Sequence, residues 1–291
     1  MGMRIRTNVN SLVAQRFMER NNGEMNSSLE RLASGYRINK SSDDAAGLAI
    51  SENLRGQLRG LNVAKRNAND AVSLVQVAEG GMNEMTNILI RLRELTVQAA
   101  SDTIGDQERG FLNREYTQLV DEMDRIGNST EFNGRKMFLP DGGLSQFVVQ
   151  IGTRGTEPEA NSDTITIDLK GIKFDSKTLG LGKESEIGGA NPGDSVARDD
   201  IALKLTTIDD ALGRLASERA TLGAIQNRLG SAIGNLGVSM ENQQLAMSRI
   251  RDVDFASETA SLTQARIMTQ ANVAVLSQAN AAPELALQLL R

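Results

Sequence analysis

The chain has no cysteine, no histidine and no tryptophan, and aromatic residues make up only 3% of it. Each absence removes a class of function. Without cysteine there is no disulfide framework, no thiol nucleophile and no cysteine-ligated zinc site. Without histidine the usual general base, the Ser-His-Asp arrangement and most transition-metal sites are out of reach, so neither a metal nor a cofactor is expected. Only a site built on carboxylates remains compatible with this composition. A basic excess is missing too: 32 Lys and Arg stand against 37 Asp and Glu, with a formal charge of −5 and a pI near 5.1. Nucleic acid is therefore not an expected partner, since phosphate binding relies on concentrated Lys and Arg. No stretch of about 18 apolar residues is available to span a bilayer. The first residues lack the apolar core of a secretory signal, because Arg4, Arg6, Asn8 and Asn10 interrupt it. Export of such a chain is expected to use no cleaved signal.

What the sequence does have is heptad periodicity. From Leu61 a 3,4 alternation runs through Ala64, Ala68, Ala71, Val75, Ala78, Met82, Met85, Leu89, Leu92, Thr96 and Ala99. The charged residues fall between these positions, which predicts a long helix with a narrow coiled-coil seam. Ser41 or Ser42 is suited to cap its start, and Asp43 and Asp44 suit the positive end of its dipole. A helix from there to Ala100 would be about 85 Å long, too long for a compact globule of this size. A break at residues 102–106, with Asp106 suited as a cap, precedes a second seam at Leu112, Tyr116, Leu119, Met123 and Ile126. A third runs through Ile201, Leu205, Ile208, Leu212, Leu215, Leu222, Leu229, Ile233, Leu236, Met240, Met247 and Ile250. Arg219, Gln226 and Gln243 are its polar exceptions and read as register-setting or solvated positions. Gly213, Gly223, Gly230, Gly234 and Gly237 each weaken that helix by about 1 kcal/mol relative to Ala, a cost that close helix approach is expected to offset.

Between these helices the composition changes. Residues 140–200 hold three of the four prolines and 10 of the 27 glycines. Gln146–Ile151 and Thr164–Leu169 have strand character and are expected to form a β-hairpin followed by an irregular loop. The fold class is therefore mainly α: an elongated rod of long antiparallel coiled-coil-like helices with a small β-hairpin region. The expected organisation is an N-terminal assembly helix over 1–42, a helical region over 43–250 with the β insertion at about 140–200, and a C-terminal assembly helix over 251–291.

The two ends continue the helical patterning. Ile5, Val9 and Leu12 share one spacing, as do Met25, Leu29 and Leu32, and Ile267, Ala271 and Ala274 repeat it near the other end. Residues 267–283 carry no charge but are rich in Gln, Asn, Ser and Thr, which suits a protein interface better than lipid. Ordering each residue costs about 1–2 kcal/mol of backbone entropy. Burying a large aliphatic side chain returns only about 1.5–3 kcal/mol, and such side chains are sparse here. Two readings stay open: the ends are loose until neighbouring copies cover them, or they pack on the chain's own helices. A complementary surface not closed by symmetry builds a helical polymer rather than a small oligomer.

Several motifs carry a family likeness. Leu32-Ala-Ser-Gly-Tyr-Arg-Ile-Asn39 and Ser42-Asp-Asp-Ala-Ala-Gly-Leu-Ala-Ile-Ser51 resemble the N-terminal signature of bacterial flagellins. Arg66-Asn-Ala-Asn-Asp-Ala71, Arg91-Leu-Arg-Glu-Leu95 and Phe132-Asn-Gly134 continue it. Arg219-Ala-Thr-Leu-Gly-Ala224, Gln226-Asn-Arg-Leu229, Ser248-Arg-Ile250, Asp252-Val-Asp254, Gln278-Ala-Asn280 and Leu287-Gln-Leu-Leu290 resemble the C-terminal one. The resemblance covers about residues 1–139 and 200–291 and leaves the middle unmatched.

The resemblance implies a non-enzymatic, extracellular subunit that polymerises into the hollow flagellar filament used for swimming, in a short form without large outer domains. A hook–filament junction protein, which shares the terminal helices, is the alternative. The implied partners are other copies of the chain, the flagellar cap, hook–filament junction proteins, an export chaperone and the type III export apparatus. Assembly would fall to Ile5, Val9, Leu12, Leu29, Leu32, Ile267, Ala271, Ala274, Leu287 and Leu290 of the terminal helices. Leu285, Leu287, Leu289 and Leu290 correspond to the region that binds the export chaperone. Arg91, Leu95 and Glu115 match positions recognised by the innate immune receptor Toll-like receptor 5, on a surface expected to be reachable in the monomer. Some members carry a zinc metallopeptidase in the middle region, but that chemistry needs His-Glu-x-x-His, and this chain has no His.

Overall fold

The computed structural model describes residues 7–138, 146–153, 163–169, 175–182, 187 and 198–288, with the backbone alone for 282–288. The elements are helices α1 (Val9–Ser34), α2 (Ala45–Ala99) and α3 (Asp106–Ser129), short strands β1 (Glu131–Phe132) and β2 (Arg135–Lys136), strands β3 (Gln146–Gln150) and β4 (Thr164–Asp168), and helices α4 (Arg198–Arg251) and α5 (Phe255–Gln288). Two compact units result, residues 59–240 and residues 1–58 with 241–291. The second unit reaches further along α2 and α4 than the expected boundaries at 42 and 251. Within it, Arg251–Glu52 and Gln243–Gln57 tie the last turns of α4 to the first turns of α2.

In the unit of residues 59–240, every seam position of α2 from Leu61 to Ala99 is buried. Thr96, the one polar member, donates its hydroxyl to the Leu92 carbonyl at 2.7 Å, so its burial leaves no donor unmet. Leu74 and Leu95 are buried too. The face is thus wider than a two-helix seam, because α3, α4 and the β region all contribute to one apolar core with it.

Helix α3 departs from expectation. Its buried positions are Gly110, Asn113, Tyr116, Val120, Met123 and Gly127, while Leu112, Leu119 and Ile126 are half-buried. The face is turned by about one residue because the segment after β4 also packs on this helix. Ser176 donates from its backbone N–H and its hydroxyl to the two Asp124 carboxylate oxygens at 2.8 and 2.7 Å. The Ile187 N–H donates to Asn113 Oδ1 at 3.1 Å. Leu179, Leu181 and Ile187 enter the core beside them.

Helix α4 buries Ile201, Ile208, Ala211, Leu215, Leu222, Ile225, Leu229 and Leu236. Ala211 and Ile225 thus take the places expected for Leu212 and Gln226. The shift moves Arg219 and Gln226 to a half-buried flank, where Arg219 reaches Glu79 at 3.8 Å. The expected role of the α4 glycines is not met. A Cβ built on Gly213, Gly223, Gly230, Gly234 or Gly237 would meet nothing within 4 Å, whereas one on Gly81 of α2 would lie 2.8 Å from the Phe138 ring. Close approach requires glycine at Gly81, not along α4.

Strands β3 and β4 pair antiparallel, from Gln146↔Asp168 to Gln150↔Thr164, as the alternating sequence predicted. Ile165 and Ile167 face the core. A second, tighter hairpin, beyond the one expected, joins β1 to β2. Its turn is Asn133-Gly134, with φ of 52° and 73°, the left-handed pair that a two-residue hairpin turn demands. Among the described residues no helix is long and apolar enough to cross a membrane.

Truncating Leu89, 1% exposed in this core, to alanine should cost about 2–5 kcal/mol. Gly230→Ala should instead raise stability by about 0.5–1 kcal/mol, because its methyl enters open space in a helix. Chemical denaturation of the monomer followed by circular dichroism checks both, and a destabilised G230A would contradict the open environment.

Candidate assembly interface

Helices α1 and α5 pack side by side and antiparallel, with their ends pinned. Asn8 Nδ2 donates to the Ala279 carbonyl at 2.8 Å, and Arg31 reaches Glu258 at 3.8 Å near the opposite end. Local capping sets both helices. Asn8 Oδ1 accepts the Ser11 N–H at 3.2 Å, and Gly35, at φ 75°, closes α1 by donating its N–H to the Arg31 carbonyl, the left-handed ending that glycine permits. Asp254 accepts the N–H groups of Ala256 and Ser257 at the start of α5.

The inward face of this pair is a heptad seam of mixed chemistry. In α1 it runs through Ser11, Ala14, Met18, Asn21, Met25, Ser28 and Leu32, and in α5 through Glu258, Leu262, Ala265, Thr269, Asn272, Leu276 and Ala279, all buried or half-buried. Its polar members interrupt the apolar periodicity, so the seam does not stand out in the sequence. Large apolar side chains lie on the other side: Val9, Val13, Phe17, Leu29, Met268, Val273 and Val275 are exposed, Leu12 at 57% and Ile267 at 60%.

Of the residues expected to drive assembly, Val9, Leu12, Leu29, Ile267, Ala271 and Ala274 are exposed. Leu32 instead belongs to the inward seam. Ile5, Leu289 and Leu290, and the side chains of Leu285 and Leu287, lie outside the described residues, so the expected chaperone-binding leucines do too.

The chain passes between α1 and α2, and between α4 and α5, at one joint. Tyr36 bridges Asp252. The Arg37 N–H donates to the Arg251 carbonyl at 2.7 Å, the Val253 N–H donates to the Gly35 carbonyl at 3.0 Å, and the Arg37 guanidinium donates to the Ile250 carbonyl at 2.9 Å. Asp44, rather than Ser41 or Ser42, caps α2 by accepting the Gly47 N–H at 2.8 Å. Asp43 accepts the N–H groups of Asn39 and Lys40, and these bonds hold its carboxyl below the usual aspartate range. Lys40 is held above its ordinary value by its hydrogen bond to Glu30 and that carboxylate's charge.

Of the residues matched to receptor recognition, Arg91 pairs with Glu115 at 2.7 Å and with Glu94 at 2.9 Å on the surface of α2 and α3. The hydrogen bonds it donates to Glu115 and Glu94, with their charge, raise its pKa further. Leu95 does not share that surface. It is 1% exposed in the core, because the α2 face widens to meet a third helix, so the expectation that it is reachable is corrected. Among the described residues no group of three Asp or Glu is placed to hold a metal ion.

Capped, paired helices that leave large apolar side chains outside their own contact define a helical structural subunit with a surface suited to interaction. Residues 5–140 match the bacterial flagellin N-terminal helical region, and residues 205–290 match the bacterial flagellin C-terminal helical region. A flagellin of Bacillus subtilis (strain 168) is 41% identical over 304 residues, covering 99% of this chain and 100% of that one. A flagellar filament 30.7 kDa core protein of Treponema maltophilum is 38% identical over 301 residues, with 99% and 100% covered. In structure, a flagellar hook-associated protein from Vibrio parahaemolyticus is similar with a TM-score of 0.58 at 15% identity, over 72% of this chain and 100% of that one, a likeness of fold alone. The chain belongs to the bacterial flagellin family and is a structural subunit of the extracellular flagellar filament.

The joint has a pH signature. Because the folded pKa of Asp43 is depressed, its contribution is present above the ordinary value of 3.8 and is lost as the pH falls through the lower folded value. The amide signals of Asn39 and Lys40 should titrate below pH 3.8 in the wild-type chain and not in Asp43→Asn. Amide NMR across that range reads the difference.

Proposed function

We propose that the subunit enters the filament through α1 and α5, laying the outward apolar side of the pair against the same helices of neighbouring copies. The observation that supports this reading is the exposure of Val9, Leu12, Leu29 and Ile267 on helices already paired through another face. Exposed apolar area of that kind marks an interaction surface. Burying it between copies recovers the hydrophobic stabilisation that the mixed inward seam supplies sparingly. Ile5, Ala271, Ala274, Leu287 and Leu290 extend the same surface in this reading, and Leu32 supports it from the inward seam.

Family likeness supports the rest of the life cycle. The chain leaves the cell unfolded through the flagellar type III apparatus, with an export chaperone holding the segment of Leu285, Leu287, Leu289 and Leu290. It is added at the distal tip beneath the cap, above junction proteins that join the hook to the filament, and the polymer serves as the propeller for swimming. A Toll-like receptor 5 contact through Arg91 and Glu115 belongs to the same reading, with Leu95 acting from beneath as a core residue. The junction-protein alternative draws only on a shared fold, while 41% identity to a flagellin along nearly the whole chain favours the filament subunit.

Leu12→Asp and Ile267→Asp test the interface directly. Both side chains are exposed in the subunit, so monomer stability should shift by no more than about 0.5 kcal/mol. Salt-induced polymerisation viewed by electron microscopy should give filaments from the wild-type chain and none from either variant. Filaments of normal yield from both variants would overturn the proposal.

A further inference from the structure

The main-chain bonds of the joint hold the two chain crossings side by side, and two side chains reach across them: Arg37, which donates to the Ile250 carbonyl, and Arg251. Arg251, the last residue of α4, sets its guanidinium carbon 4.4 Å from the centroid of the Tyr36 ring. The same guanidinium donates to Glu52 of α2 at 3.2 Å. It therefore touches the α1–α2 crossing and the first turns of α2 while its own backbone carbonyl receives the Arg37 N–H. Its side chain is 17% exposed, and its Nε is buried with no acceptor. An unpartnered buried donor is unfavourable, so the guanidinium is held there for its flat face and its charge and not for a full set of hydrogen bonds. A cation over an aromatic face is stronger where water is excluded, and lysine has no plane to offer in its place.

We propose that Arg251 is a positioning residue for assembly. Stacked on Tyr36 and paired with Glu52, it sets the orientation of the α1–α5 pair against the first turns of α2, so that the outward apolar side meets a neighbouring copy in register. Its function is distinct from that of the surface residues, since it acts through Tyr36 and Glu52 within the subunit. The inference rests on the assembly reading above.

The test measures the critical concentration for filament growth of the full chain on filament-fragment seeds. The variants are Arg251→Lys, Arg251→Met, Tyr36→Phe, Tyr36→Leu and the double Arg251→Met/Tyr36→Leu. R251K, R251M and Y36L should each raise the critical concentration by about three- to tenfold, the range a cation–ring contact with a partly exposed ring supports. Y36F, which keeps the ring, should stay near wild type, and the double variant should be no worse than R251M. Monomer helicity should be retained in all five, with thermal unfolding shifted by no more than the loss of one such contact accounts for. Wild-type growth by R251M, multiplied losses in the double variant, or a parallel loss of monomer helicity would each overturn the positioning role. A wild-type chain that failed to grow on seeds would instead sink the assembly reading itself.

Discussion

The apolar face of α2 is the constraint on which the unit of residues 59–240 depends. From Leu61 to Ala99 it is unbroken and made largely of Ala, Leu and Met, and the one hydroxyl within it, on Thr96, is satisfied by the helix's own backbone. Small side chains let partner elements approach closely, and dispersion contacts there accumulate along the length of the helix. Helices α3 and α4, strand β4 and the segment around Leu179–Leu181 all bury side chains in this core. The chain can thus dispense with Trp and nearly all aromatics: a long thin core needs many modest side chains in phase, not a few large ones.

The terminal pair inverts that logic. Its inward seam is half polar, with Ser, Thr and Asn at heptad positions, while Phe17, Leu12, Ile267 and Val275 look outward. Capping at Asn8, Gly35 and Asp254 and the two end pins at Asn8 and Arg31 give the pair definition without a strongly apolar contact. A polar seam specifies register at the cost of stability. In the assembly proposed above, the apolar side chains left outward are the ones that neighbouring copies cover.

The joint where the chain passes from α1 to α2 and from α4 to α5 is where the family motifs converge. Leu32–Asn39 and Asp252–Asp254 are far apart in the chain, yet their backbones bond to each other and Tyr36 lies against Arg251. In sequence they were recognisable only by likeness. Nothing in their composition says that Tyr36 faces Arg251, since neither periodicity nor charge spacing encodes a contact across more than 200 residues.

Helix type and length, the α2 seam and the pairing of Gln146–Gln150 with Thr164–Asp168 were determined by the sequence alone, because period 3.6 and period 2 are local properties of the chain. The Asn133-Gly134 turn was legible too, though unread. Tertiary structure alone decided the exact faces of α3 and α4, since a third packing partner turns a seam by a residue, as Asn113 with Ile187 and Asp124 with Ser176 demonstrate. It also decided that Leu95 is core and Leu32 inward, and that the α4 glycines face open space. Periodicity says that a helix has a buried side; how wide that side is depends on how many elements cover it, and that is settled only when the whole chain has packed.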